Sequence, residues 1–314
     1  MEVYLEDGKQ LNPNCSTLVL PALSIGNVGQ LAVDLLISSL KADKIGYLDD
    51  PNVLPCVGND AYSPLPLGKL ALPVEAYESS SSALTLVQQR SPVIKVSNYS
   101  MQLGSIGDSE MQVGDNLYLA KRTVLIMLVK QGMMIEYAKN MANFAAANGK
   151  KHVVVLSSLD FGRWRNINMS SGLQIYYLSS SNMDGTDADC ESLGWNRLQD
   201  YNPDQRTWKY LDTLAEEGSM PDEEFPFEEL GDEDYYPSLP FAALFSCFKA
   251  KGIKVTCLLC YCSEGDNIPE AFYMAEATSR FVGLSDKEFQ GDGKWITPFS
   301  WQSVYGPPAD MTIF

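Results

Sequence analysis

The chain has 314 residues, 45% of them hydrophobic, with a formal net charge of −17 and a sequence pI near 4.4. That length and apolar content suffice for one large core or two small ones. Nucleic acid and anionic membrane surfaces call for clustered Lys and Arg, so neither is an expected partner; the acidity serves solubility or steers a basic protein.

The opening Met1 to Asp7 is acidic and lacks the apolar stretch of a secretory signal. Thr17 to Tyr47 then reads as strand, glycine turn, helix and second strand. Leu18 to Leu20 are β-prone, Gly26 and Gly29 bracket a turn, and Leu31 to Leu40 form a helix apolar over most of its surface. Such a helix is covered on more than one side. If the domain needs a partner, this helix is expected to leave some apolar surface open. A βαβ opening predicts a parallel sheet with helices packed on it.

The turn Ser24-Ile-Gly-Asn-Val-Gly29 also invites a nucleotide- or nucleoside-binding enzyme reading, with Asp49 where a ribose-binding acid would stand. Ser24 replaces the first glycine of G-x-G-x-x-G, however. The competing reading is structural: Gly26 supplies a special backbone angle and Gly29 allows helix and strand to touch.

Further on, Lys69–Glu78 and Leu84–Gln89 read as strands joined by the serine run Ser79 to Ser82. Gly132 to Asn148 is a helix by its spacing of Met134, Tyr137, Met141, Phe144 and Ala145, with Asn148-Gly149 as the stop. His152–Leu156 is apolar and β-branched like the centre of a sheet. Arg163, Trp164 and Arg165 follow that strand, as does a loop ending at Tyr176 and Tyr177; Arg beside exposed aromatics is an interface composition. Asp212 to Asp234 holds eleven acids and no Lys or Arg, which predicts a solvated, flexible insertion. Leu239–Lys249 is a helix, Ile253–Cys262 a buried strand, and Ile268–Val282 a helix with Pro269 in its first turn.

Catalytic and metal chemistry find little support. The single histidine, His152, starts a strand and lies about 16 Å along it from Ser157, too far for a hydrogen-bonded dyad. Cys257, Cys260 and Cys262 split between the two faces of their strand and read as core thiols, not zinc or redox ligands. Seven cysteines without a regular framework suit a reduced compartment, so the cytosol or nucleus is the expected location. The loop Ser263 to Glu270 joins a strand to a helix, with Asn267 placed to cap and Glu270 at the positive end.

The strings SIGNVGQLAVDLLISSL with KIGYLDD, then SEGDNIPEA, and the tail WITPFSWQSVYGPPADMTIF carry a resemblance. In sequence and in order along the chain they resemble the proteasome assembly chaperone 2 family. The resemblance implies one α/β domain over 1–314, with a mostly parallel sheet between two helical layers. It also implies a non-enzymatic function without cofactor or metal: promotion of alpha-ring formation in the core proteasome, as a heterodimer with proteasome assembly chaperone 1. Against the family pattern an extra segment stands at Val96–Gln131. Its first and last codons can match intron boundaries, so it is either a retained intron or a lineage-specific loop. Proteins that dock on alpha rings resemble one another in ending with a hydrophobic residue, a tyrosine and a final residue. This chain ends Thr312-Ile313-Phe314, without the tyrosine but with an apolar end stiffened by Gly306-Pro-Pro308, so 306–314 is read as a docking tail.

Overall fold

The computed structural model describes residues 1–63, 69–94, 131–163, 173–216, 235–285, 287–289 and 295–301. Eleven strands are present among them: β1 (Glu2–Leu5), β2 (Thr17–Pro21), β3 (Asp43–Asp49), β4 (Gly58–Asn59), β5 (Leu70–Ala71), β6 (Val74–Ser79), β7 (Leu84–Gln89), β8 (His152–Asp160), β9 (Ile175–Ser179), β10 (Asn196–Arg197) and β11 (Lys254–Cys262). The α-helices are α1 (Val28–Leu40), α2 (Gln131–Ala147), α3 (Ala188–Ser192), α4 (Arg206–Ala215), α5 (Pro240–Ala250) and α6 (Ile268–Val282).

Nine strands form one sheet in the order β1-β3-β6-β7-β2-β8-β11-β9-β10, while β4 and β5 make a separate ribbon. The centre, β7-β2-β8-β11, is parallel. The flank β1-β3-β6-β7 is antiparallel, and β9 runs against β11, so the sheet as a whole is mixed. The β2-α1-β3 unit does cross over, but β3 does not neighbour β2. The β6–β7 hairpin lies between them.

Two apolar layers sandwich the sheet. On one face α1 and α6 pack over Val19, Leu86, Val154, Leu156 and Leu258. On the other, α2, α4 and α5 cover Leu18, Leu20, Val153, Val155 and Leu259. Both faces of the central strands are thus covered, which explains their near-continuous apolar runs. The layered α/β architecture is the one expected from the sequence.

Some local readings need correction. Lys69–Glu78 is two short strands, because Pro73 has no N–H to continue a ladder. The acidic segment begins as the last turn of α4, where Asp212 pairs with Lys249 at 2.7 Å. Tyr176 and Tyr177 do not end a loop: they lie in β9, only 5% and 1% exposed. The rest of the acidic insertion, the Val96–Gln131 segment up to residue 130, Trp164 and the tail 306–314 fall outside the described residues.

Candidate interaction surface

The carboxyl ends of β2, β8 and β11 are where an α/β fold keeps its functional loops. Here the glycine turn after β2 packs against the loop after β11. Gly26 has φ +62°, and a Cβ there would lie 2.6 Å from Cγ of Asn267, closer still to its amide nitrogen. Gly29 faces the backbone of Leu156, so α1 rests on β8 without an intervening side chain. The Ile25 carbonyl accepts hydrogen bonds from Ser158 Oγ and Cys262 Sγ, tying the turn to β8 and β11. Both glycines are accounted for by protein packing. Asp49 is at the end of β3, three strands from β2 and so about 14 Å away. A dinucleotide's ribose acid belongs next to the glycine turn.

Asn267 does not cap α6 with its side chain. Its amide nitrogen donates to the carbonyls of Ser263 and Gly265, both at 3.0 Å, folding the SEGDN loop on itself. Glu270 is in the first turn of α6 as expected. The cysteines are core groups: Cys257 joins one apolar layer, Cys260 and Cys262 the other, and burial pushes all three thiols above their usual range. Among the described residues no cluster of His, Cys, Asp and Glu could hold a metal ion. No helix among them is long and apolar enough to cross a membrane.

His152 does find a hydroxyl, on the neighbouring strand. Its Nε2 is 3.0 Å from Thr256 Oγ1, and its ring meets Phe281 edge-on at 5.5 Å. Burial, and then the Lys254 charge, pull its pKa down to about 4. Thr256 is fully buried and its hydroxyl lies 3.5 Å from Ser179 Oγ, which donates to Asp187 at 2.7 Å. Burial alone would raise the Asp187 carboxyl, but Ser181, Ser179 and Lys254 together hold it at about 2. The arrangement locks β8, β9 and β11 together.

Arg163 stacks its guanidinium 4.3 Å from the ring centre of Tyr235. The Asp160 N–H donates to the Tyr235 hydroxyl at 3.0 Å, and burial pushes that phenol up to about 12. Tyr236 and Tyr261 share a hydrogen bond of 2.6 Å beside them. Arg163 thus has an aromatic partner in Tyr235, within the chain itself.

Helix α1, expected to leave apolar surface open, is covered by the sheet, by α6 and by Ile296, whose N–H donates to Ser39 Oγ at 2.9 Å. Among the described residues, three consecutive exposed apolar side chains lie on β1 instead. Val3, Tyr4 and Leu5 are 40%, 42% and 43% exposed at the free edge of the sheet. Tyr4 stacks on Tyr47 with ring centres 4.8 Å apart. A four-residue strand hardly registers in a sequence; its signal was Val3-Tyr-Leu, three β-prone residues between acids.

Comparison with known proteins gives a consistent picture. The model of the PAC2 family matches residues 18–284. Proteasome assembly chaperone 2 of Nematostella vectensis is 30% identical over 276 residues, covering 86% of this chain and 88% of its own. The Homo sapiens protein of the same name is 26% identical over 308 residues, covering 93% and 94%. In fold, the chain is similar to Pyrococcus furiosus PbaA, an archaeal homologue of proteasome-assembly chaperone. The TM-score is 0.52 at 15% identity, over 90% of this chain and 87% of that one.

Proposed function

The chain belongs to the PAC2 family, and from that membership we propose that it is a chaperone of proteasome assembly. It acts through surfaces, without catalysis, as a heterodimer with proteasome assembly chaperone 1 that promotes alpha-ring formation in the cytosol and nucleus. The observation that carries this reading is the extent of the likeness to relatives named proteasome assembly chaperone 2, which spans nearly the whole of both chains. A glycine turn packed against Asn267 and a histidine hydrogen-bonded to a buried threonine support the non-enzymatic part.

The test is affinity purification of the tagged protein with mass spectrometry of its companions. Proteasome assembly chaperone 1 and alpha subunits are expected, without mature core particles. Neither companion appearing, from cells that express both, would overturn the proposal. Deleting Thr312, Ile313 and Phe314 should weaken alpha-ring binding and leave the partner chaperone bound; equal ring binding would remove the tail from the docking surface.

A further inference from the structure

We propose that β1 is an open docking edge for a basic β-strand of a partner protein, one that reads Lys/Arg, apolar, any residue, apolar, Lys/Arg. The inference does not rest on the chaperone reading. Among the described residues, β1 ends the nine-stranded sheet and pairs only with β3. The Glu6 N–H donates to the Ile45 carbonyl at 2.8 Å, so Glu6–Ile45 is a hydrogen-bonded pair of the ladder. By antiparallel alternation Glu2 and Tyr4 also bond toward β3, and the N–H and C=O groups of Val3 and Leu5 point outward, matched by no strand among the described residues. An edge with free backbone groups and three exposed apolar side chains is a template for strand addition.

The charges select the occupant. Glu2, Glu6 and Asp7 flank the apolar centre, and Asp49 is opposite Glu2. A second copy is disfavoured. Antiparallel self-pairing that matches Val3 with Leu5 centres on Tyr4 and sets Glu2 against Glu6 twice, and like charges directly opposite are destabilising; a centre on Val3 or Leu5 sets Glu2 or Glu6 against Tyr4 and brings neither carboxylate a cation. A strand with Lys or Arg at those two places meets both carboxylates while its apolar residues align with Val3 and Leu5.

The probe is the peptide acetyl-Ser-Lys-Val-Thr-Val-Lys-Ser-amide, with glutamate in place of both lysines as its control. The lysine peptide should bind at concentrations below about 1 mM and the control should not. Binding should slow amide exchange at Val3 and Leu5. Leu5→Pro removes an outward donor and leaves the β3 ladder intact, so it should weaken binding at least about tenfold without changing the melting temperature. The double variant Glu2→Lys/Glu6→Lys should reverse the preference and take the glutamate peptide. The proposal is overturned if the double variant keeps the wild-type preference or if protection appears elsewhere than at β1. It is equally overturned if sedimentation shows a wild-type dimer that Leu5→Pro dissociates, which would make a second copy the occupant.

Discussion

A Cβ on Gly29 would lie 3.0 Å from the carbonyl carbon of Leu156, and nearer still to its oxygen, so α1 meets β8 backbone to backbone. The same oxygen already accepts the Ala22 N–H at 2.8 Å, which fixes it at the junction of β2 and β8. Neither side has a flexible side chain to move. Gly29→Val should therefore cost roughly 1–3 kcal/mol or more, read as a shift in urea midpoint, and should reduce partner binding only through lost folded protein. A variant as stable as wild type would show that the contact is not tight.

Acid should weaken the fold in a defined window through His152. Its folded pKa of about 4 is below the ordinary 6.5, so the unfolded chain takes up the proton first. The neutral imidazole's contribution is complete above pH 6.5 and is lost as pH falls toward 4, with a slope of at most about 1.4 kcal/mol per pH unit. Asp187, held at about 2, adds its own loss only below the usual carboxylate range. His152→Gln should flatten the stability profile between pH 6.5 and 4 and leave the slope below pH 4 in place. An unchanged profile from 6.5 to 4 would show that His152 titrates alike in both states.

Long, uniformly patterned elements were legible in the sequence. Helix α6 spans Ile268–Val282 as its apolar spacing predicts, and β8 and β11 are the buried strands their Val, Ile and Leu runs announce. What escaped is nonlocal or short. Nothing within Thr17–Tyr47 says that β6 and β7 insert between β2 and β3, because that order is settled by pairing across the chain. β9 hid because it is buried throughout, so Tyr176 and Tyr177 show no alternation. In the candidate site, Gly29 was readable as a packing glycine, but the meeting of Gly26 with Asn267 joins residues 241 positions apart and leaves no local trace.

The last prediction concerns a buried ionic network between α1 and the antiparallel flank. Arg90 donates to Asp34 at 3.1 Å and to Glu75 at 3.4 Å, and lies over the Tyr62 ring. Asp34 also accepts from the Tyr62 hydroxyl at 2.5 Å and from Gln88 at 2.6 Å; Glu75 accepts from Lys44 at 2.5 Å and from Tyr77 at 3.0 Å. Asp34 and Glu75 are 6% and 1% exposed, so each depends on its donors to offset the loss of water around it. Arg90→Met removes the cation that, among the described residues, touches both, and should cost about 3–5 kcal/mol. Arg90→Lys should rescue only part, since an ammonium lacks the fork that reaches two carboxylates. Arg90→Met combined with Asp34→Leu removes charge on both sides and should be more stable than Arg90→Met alone, because breaking a buried pair is worse than replacing it. Urea unfolding of the four proteins measures each of these differences. A double variant no more stable than the single would mean that Tyr62 and Gln88, not Arg90, hold Asp34 in place.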